Sequence, residues 1–428
     1  MKNPVIGFAG LTHLGLNSAV ASAARGFNVI GFHDDIQLVE NLNKGVLHVL
    51  EPQLPELMAA FRENLIFSAD KSSLYSCDIV YISVDVPTDD KGLSSLSSVE
   101  DMIGIATREM RKDAILVILC QVPPGFTRKI NWPAKQLIYQ VETLIFGRAA
   151  DRALNPERFI IGLDNSKDTL PAAMSIYLGA FNCPILPMRY ESAELAKISI
   201  NMFLVASVTT SNTLAEICEN IGADWFEIVP ALRLDKRIGQ YAYLTPGLGI
   251  AGGNLERDLR TILNFSEAYK TEAGTVSAWI KSSQHCKNWA WLKVNELTLS
   301  QNPKPRIALL GLTYKENTHS IKNSAAIELL ANFTNPSVTA FDPAAPADLN
   351  IEGVTRVNTA EETLDGADVL IIMTPWEQFR SLSISEIWKR MAGRVVIDPY
   401  RLLNGEELKN SGFTYASLGQ AVQKNKIL

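Results

Sequence analysis

From residue 4 onward the chain alternates short apolar runs with segments whose apolar residues recur at helical spacing: PVIGFAG, LNSAVASAARG, FNVIGFHDD, then IQLVENLNKG. A short apolar run bounded by turn residues fits a strand buried on both faces, and a 3.6-residue recurrence fits a helix packed on it. Strand and helix in alternation predict βαβ units on a parallel sheet. Further strand-like runs, DIVYISV (78–84) and AILVILC (114–120), flank a helical stretch from Ser98 to Arg111. These runs predict a first α/β domain over residues 1–185.

Beyond Glu191 the strand pattern stops. SAELAKISINMFLVASVTTSNTLAEICENIG and VSAWIKSSQHCKNWAWLKVNEL are long helical segments, which predicts a helical middle over 186–300. Ile198, Met202, Leu214 and Ile217 fall there at the spacing of a buried helix face. The Gly- and Pro-rich loop TPGLGIAGGN (245–254) interrupts the helices, as loops do that turn a corner or bring backbone close to a ligand. QNPKP (301–305) reads as a linker. RIALLGL, SVTAFDP, DVLIIMT and RVVIDP then predict a second set of buried parallel strands over 301–428. GLT at 311–313 repeats GLT at 10–12, each directly after an apolar strand, which hints at two similar nucleotide-binding halves. The expected fold class is α/β, two Rossmann-like parallel-sheet domains joined by a central helical domain.

Composition narrows the function classes. Apolar residues make up 47% and charged residues 20% of 428, with no uninterrupted apolar run long enough to cross a bilayer, so no membrane partner is expected. MKNPVIGFAG enters a strand directly, without the features of a signal peptide, and a cytoplasmic location is the expectation. Forty basic against forty-six acidic residues give −6, which offers no footprint for nucleic acid. Cys77, Cys120, Cys183, Cys218 and Cys286 are scattered, without C-x-x-C pairs or histidines at ligand spacing. Neither disulfides nor a metal are expected, and each cysteine reads as a small buried apolar residue.

Gly10-Leu-Thr12-His-Leu-Gly15 follows the first strand and opens the first helix, where a dinucleotide fold sets the cofactor pyrophosphate against helix N-terminal amides. Its middle glycine is Thr12. An acidic residue is expected at the end of the second strand to hold the ribose hydroxyls, and the chain offers His33-Asp34-Asp35 there. Either the carboxylate is displaced by one residue, or the domain binds its dinucleotide weakly or not at all.

Many ordered stretches then point one way: NKGVLHVLEPQLPEL, VDVPTDDKG (84–92), VPPGFT (122–127), LNPERFIIG (154–162) and ESAELAKISIN (191–201). LDKRIG (234–239), TPGLGIAGGNLERD (245–258), GLTYKENT (311–318) and WEQF (376–379) continue the series. With these the chain resembles the UDP-glucose/GDP-mannose dehydrogenase family along nearly its whole length. The resemblance implies oxidation of the 6-hydroxymethyl group of a nucleotide sugar to a carboxylate with two NAD molecules in succession. That chemistry needs a base, an oxyanion partner, and a nucleophile that traps the aldehyde as a thiohemiacetal.

The resemblance carries roles onto particular residues. Gly10, Thr12, Gly15, His33, Asp34, Val84 and Gln121 stand at cofactor positions, for NAD with NADP possible. Lys197 and Asn201, four residues apart on one predicted helix, match the family's lysine and asparagine, which can together hold a developing alkoxide. Asp258 matches the aspartate closing the family's G-G-S-C-F-P-K-D motif, and Arg257 replaces its lysine. The cysteine position is Asn254, whose amide cannot form a thiohemiacetal. The family's S-T-V-P-P-G becomes Cys120-Gln121-Val122-Pro123-Pro124-Gly125. Its N-P-E-F-L-R-E becomes residues 140–146, keeping Glu142 and placing Phe146 where a second glutamate stands. Lys322 replaces an arginine and loses its forked contacts. Substrate-binding positions are Arg237, Gly249, Gly252, Lys315 and Lys322, with Gly247 in the same loop, while Trp376 fits core packing as well as ligand contact. Arg237 is the residue that in the family reaches across a dimer interface, so a homodimer is implied. Two outcomes stay open: an NAD(P)-linked oxidoreductase of altered course, or a redox-inactive regulatory or scaffold homologue that binds a nucleotide sugar. A hydroxy-acid dehydrogenase on the same plan fits the second α/β domain poorly.

Overall fold

The computed structural model describes residues 3–87, 94–334 and 337–423. By internal contacts it divides into two compact units, Met1–Ile200 and Asn201–Leu428.

The first unit is built on eight strands: β1 (Ile6–Ala9), β2 (Val29–Phe32), β3 (Leu65–Ser68), β4 (Ile79–Ile82), β5 (Ile115–Ile118), β6 (Leu137–Gln140), β7 (Phe159–Leu163) and β8 (Ile185–Arg189). Their order across the sheet is β3-β2-β1-β4-β5-β6-β7-β8. Successive side chains of a strand point to opposite faces, and the two cores follow that rule. Ile6, Phe8, Ile79 and Tyr81 pack on one face, Ala9, Val80 and Ile82 on the other. Burial on both faces is why these strands read as continuous apolar runs. The helix expected at Ser98–Arg111 is Ser97–Glu109.

The sheet departs from the all-parallel expectation at one place, where β6 pairs with β7 antiparallel. Residues 141–158, with the short helix Ala149–Leu154, return the chain alongside β6 in the opposite direction. β3, β6, β7 and β8 are four to five residues long and were not marked by the apolar runs singled out above.

The second unit begins within the helix Tyr190–Ile221, followed by Trp225–Leu234, Asn254–Tyr269, Gly274–Lys287 and Trp289–Val294. No strand lies between residues 190 and 305 among those described, as the pattern foretold. Then come β9 (Arg306–Leu310), β10 (Ser337–Phe341), β11 (Val354–Arg356), β12 (Val369–Ile372), β13 (Val395–Ile397) and β14 (Thr414–Ala416), in the order β11-β10-β9-β12-β13-β14. Every pairing in this sheet is parallel. Tyr190–Ile221 also has the length and mean hydropathy, 1.2 over its most apolar window, of a membrane-spanning helix, though only a third of that window is buried. Lys197 and Glu216 bound an uncharged stretch from 198 to 215, whose apolar residues are interspersed with Ser199, Asn201, Ser207 and the polar run 209–213.

The two sheets share one strand order, and the repeated GLT lies after β1 in one and after β9 in the other. The halves differ at the end of the second strand. In the second unit Asp342 turns back onto the loop, accepting from the amides of Leu312 (2.7 Å) and Thr313 (2.9 Å), the Thr313 hydroxyl and the Trp376 indole. The amides of Leu312 and Thr313 are thus already taken by a buried carboxylate. Trp376 is thereby fixed as a core residue.

Candidate functional site

In a doubly wound sheet the ligand crevice opens where the strand order reverses, here between β1 and β4. Gly10 leaves β1 with φ +102, and a Cβ there would lie 2.4 Å from Val84 Cγ1. At Gly15 a Cβ would lie 1.9 Å from the Gly10 carbonyl oxygen. Both positions therefore demand glycine, one for its backbone conformation and both for closeness. Thr12 does not, because its φ of −70 is open to any residue. Its hydroxyl donates to the Ser83 carbonyl at 3.1 Å and makes no side-chain cap on the helix His13–Ala24. The first-turn amides of a twelve-residue helix are thus left facing the crevice, which fits an anionic pyrophosphate.

At the ribose end His33 follows β2, with its Nδ1 accepting from the Asp35 amide at 3.1 Å and lying 3.3 Å from Asp34 Oδ1. Asp35 caps the next helix by accepting from the Leu38 amide, and the Asp34 side chain is exposed. Gln121 is half-buried in the loop after β5. Of the motif at 84–92, residues 88–92 lie outside the described residues.

Two residues missed by sequence reasoning hold the crevice in shape. Glu51, buried, accepts from His13 Nε2 (2.9 Å) and from the amides of Gly147 (3.0 Å) and Ala149 (2.6 Å). Burial alone would raise its carboxyl, but His13 and the two amides outweigh that and hold it below the ordinary value. Phe146 stacks on His13 with ring centroids 4.2 Å apart, so the aromatic at a glutamate position has a partner on the glycine loop. Glu194, also buried, accepts from the amides of Gly125 (2.5 Å) and Thr127 (2.8 Å) and so ties the VPPGFT turn to the long helix. Both lay in stretches already quoted, EPQLPEL and ESAELAK, but an acidic residue in a helix segment carries no sequence sign that it is buried.

Lys197 lies one turn beyond Glu194, and its Nζ is 3.2 Å from Glu142 Oε2. The ammonium is only 13% exposed and the carboxylate 19%. Glu142 also accepts from the Leu144 amide, so its place is set by two donors. A carboxylate beside a sheltered ammonium can take a proton while the cation steadies a developing oxyanion.

In the second unit, Asn201 Nδ2 donates to Asp258 Oδ2 at 2.5 Å. Asp258 is buried, and its other oxygen is 3.3 Å from Arg257 Nε. Asn201 stands four residues after Lys197 on the same helix, as expected. Asn254 is the first residue of the helix Asn254–Tyr269 and is exposed at its start.

The loop 247–253 is held by side chains the sequence did not reveal. Asn212 Oδ1 accepts from the Gly247 amide (2.8 Å), Ser283 Oγ from the Ile250 amide (2.7 Å), and Asn323 Nδ2 donates to the Gly252 carbonyl (2.9 Å). Gly249 and Gly252 have φ +80 and +76, and a Cβ on them would lie 2.5 Å from the Ser283 carbonyl and 3.0 Å from the Tyr314 ring. A Cβ on Gly253 would meet Lys322 Cδ at 3.5 Å and Nζ at 3.7 Å, so that ammonium stands beside the start of the Asn254 helix. Lys315 Nζ lies 6.0 Å from the Tyr314 ring centroid. Arg237 is exposed and held by Asp235 at 2.6 Å. Burial pushes the Cys77 thiol up to about 12 and Cys120 higher still, so neither is a ready nucleophile.

Comparison with known proteins agrees with this layout. The model of the UDP-glucose/GDP-mannose dehydrogenase family's NAD binding domain matches residues 4–179, that of its central domain 191–285, and that of its UDP binding domain 308–405. The UDP-glucose 6-dehydrogenase of Rickettsia typhi is 29% identical over 97% of this chain and 100% of its own length. UDP-glucose 6-dehydrogenase TuaD of Bacillus subtilis is 25% identical over 97% and 93%. Among solved structures, the UDP-glucose dehydrogenase of Pyrobaculum islandicum aligns with a TM-score of 0.83 at 24% identity, covering 98% of each chain. The UDP-D-ManNAc dehydrogenase of Pyrococcus horikoshii gives 0.83 at 22%, covering 97% of this chain and 99% of its own, a likeness of fold. Three domain models of one family, matched in order from residue 4 to residue 405, establish that this chain belongs to the UDP-glucose/GDP-mannose dehydrogenase family and carries its NAD-binding domain.

Proposed function

We propose that the chain oxidises a nucleotide sugar with NAD in a two-electron step that ends at the aldehyde. The observation that carries this reading is a retained proton-handling pair, Lys197 and Glu142, in a chain whose nucleophile position holds Asn254. NAD, when bound, supplies the hydride acceptor. Glu142 Oε2 takes the hydroxyl proton, and the Lys197 ammonium steadies the oxygen as negative charge grows on it. In the second unit the Asn201 amide donates to Asp258, a second pair at family positions. In the same unit Lys315 and Lys322 supply charge for a diphosphate, with Lys322 beside the tight turn that Gly249 and Gly252 make. Without a thiol at 254, no thioester forms for a second hydride to leave behind. A redox-inactive binding role is the rival, favoured by the Phe146–His13 stack at a family glutamate position. The intact Lys197–Glu142 and Asn201–Asp258 pairs weigh against it, since a scaffold has no need of them.

Cofactor choice follows from His33. With no carboxylate aimed at the ribose from that position, a 2′-phosphate meets less repulsion than in a site built for NAD alone. Titrations of the protein with NAD and NADP should give similar affinities or favour NADP. A strong preference for NAD would mean that Asp34 swings into the ribose site.

The working form is a homodimer in the cytoplasm. Phe203 (77% exposed), Leu214, Ile217 and Ile221 on the long helix, with Leu234 (84%) and Tyr241 (91%), leave much apolar area open to water. An exposed apolar band of this kind marks an association surface, and Arg237 is displayed close to it in sequence. Ile198, by contrast, is buried within the chain itself. Light scattering at micromolar concentration should return twice the mass of the chain, and a monomer would contradict the dimer.

A further inference from the structure

Glu142 lines a partly open cavity of about 50 Å³ in the first unit. Part of its wall is apolar, but Ser18, Tyr81, Gln140, Glu142, Thr143 and Arg152 also line it. An apolar void stays dry, whereas a cavity of this size with several hydrogen-bonding walls holds about three waters. The polar groups are fixed in place. Buried Tyr81 donates its hydroxyl to Gln140 Oε1 at 2.9 Å, and Arg152 Nε donates to the Thr143 carbonyl at 2.8 Å. Arg152 then leads outward, with its Nη1 3.1 Å from Glu157, whose side chain is 62% exposed. The lining thus includes both a sheltered carboxylate and a guanidinium paired to a solvent-facing one.

Oxidising an alcohol to an aldehyde removes a hydride and a proton. The C–H electron pair leaves as hydride to the oxidised nicotinamide, the O–H proton passes to Glu142, and Glu142 must lose it before the next turnover. The reacting face is best kept poor in water, so the proton needs another way out. We propose that the cavity holds a water relay that carries the proton from Glu142 to solvent beside Arg152 and Glu157. As the Glu142 O–H bond breaks, one forms on the first water, and the last water gives its proton to bulk. The relay rests on the reading of Glu142 as the proton acceptor.

Thr143 is the residue to change, because it lines the cavity and its side chain takes no part in the proposed chemistry. Thr143→Leu fills the space and Thr143→Ser keeps it polar. A high-resolution crystal structure of the native protein should show ordered waters joining Glu142 to Arg152, absent from Thr143→Leu. In single turnovers with NAD and UDP-glucose, reduced cofactor is followed by absorbance and the released proton by an indicator dye. In the native chain and Thr143→Ser the two should appear together. In Thr143→Leu the proton should lag by roughly tenfold, with a larger solvent isotope effect on turnover. A dry native cavity, or a Thr143→Leu proton that keeps pace with reduced cofactor, overturns the relay and leaves the dehydrogenase reading standing. No reduced cofactor from native protein with both ligands bound overturns that reading and the relay with it.

Discussion

Replacing Lys197 by methionine is expected to slow hydride transfer by about 10²–10³-fold, the usual effect of removing one donor aimed at a developing oxyanion. Methionine keeps the length and apolar stem of lysine and removes only the charge. The ammonium is sheltered and 3.2 Å from Glu142, so its loss acts twice. The oxyanion loses its cation, and Glu142 loses the donor that holds its Oε2 in place. The Gly10–Gly15 loop, where we propose that NAD binds, is untouched by the substitution, so NAD affinity should stay within a few-fold of native by titration calorimetry. Lys197→Arg should not restore the rate, because a planar fork replaces a compact ammonium in a narrow space. A single-turnover rate for Lys197→Met within about threefold of native, with both ligands bound, would remove Lys197 from the chemistry.

Much of the fold was legible because parallel strands buried on both faces leave unbroken apolar runs. PVIGFAG, DIVYISV, AILVILC and RIALLGL each became a central strand. The outer strands were harder to see. β8 (Ile185–Arg189) has partly exposed positions and so no continuous apolar run, and the β6–β7 reversal depends on a turn that apolar periodicity does not encode. At the site, glycines with a steric reason were readable from their spacing, and Gly10, Gly15, Gly249 and Gly252 each prove to be crowded. Helix spacing put Lys197 and Asn201 one turn apart. The supporting shell was not readable. Glu51, Glu194, Asn212, Ser283 and Asn323 act on backbone groups distant in sequence, and their type alone does not distinguish them from solvated polar residues. Nor did the sequence show that the rings of His13 and Phe146, 133 residues apart, pack against one another.

The most direct test of a two-electron dehydrogenase counts reduced cofactor per nucleotide sugar consumed and identifies the sugar product by mass spectrometry. A panel including UDP-glucose is the substrate, and Asn254→Cys is the contrast. Asn254 opens its helix at an exposed position, so the substitution places a thiol there without crowding the core. For the native chain one reduced cofactor per sugar and an aldehyde product are expected. For Asn254→Cys a covalent sugar adduct should appear in the intact mass, because a thiol can trap the aldehyde, while Gln121 and Phe146 stand where the family's water-ordering and second acidic residues would be. Two reduced cofactors per sugar and a uronic acid from the native chain at the rate of its first oxidation would contradict the proposal, since the second step would then proceed without the nucleophile.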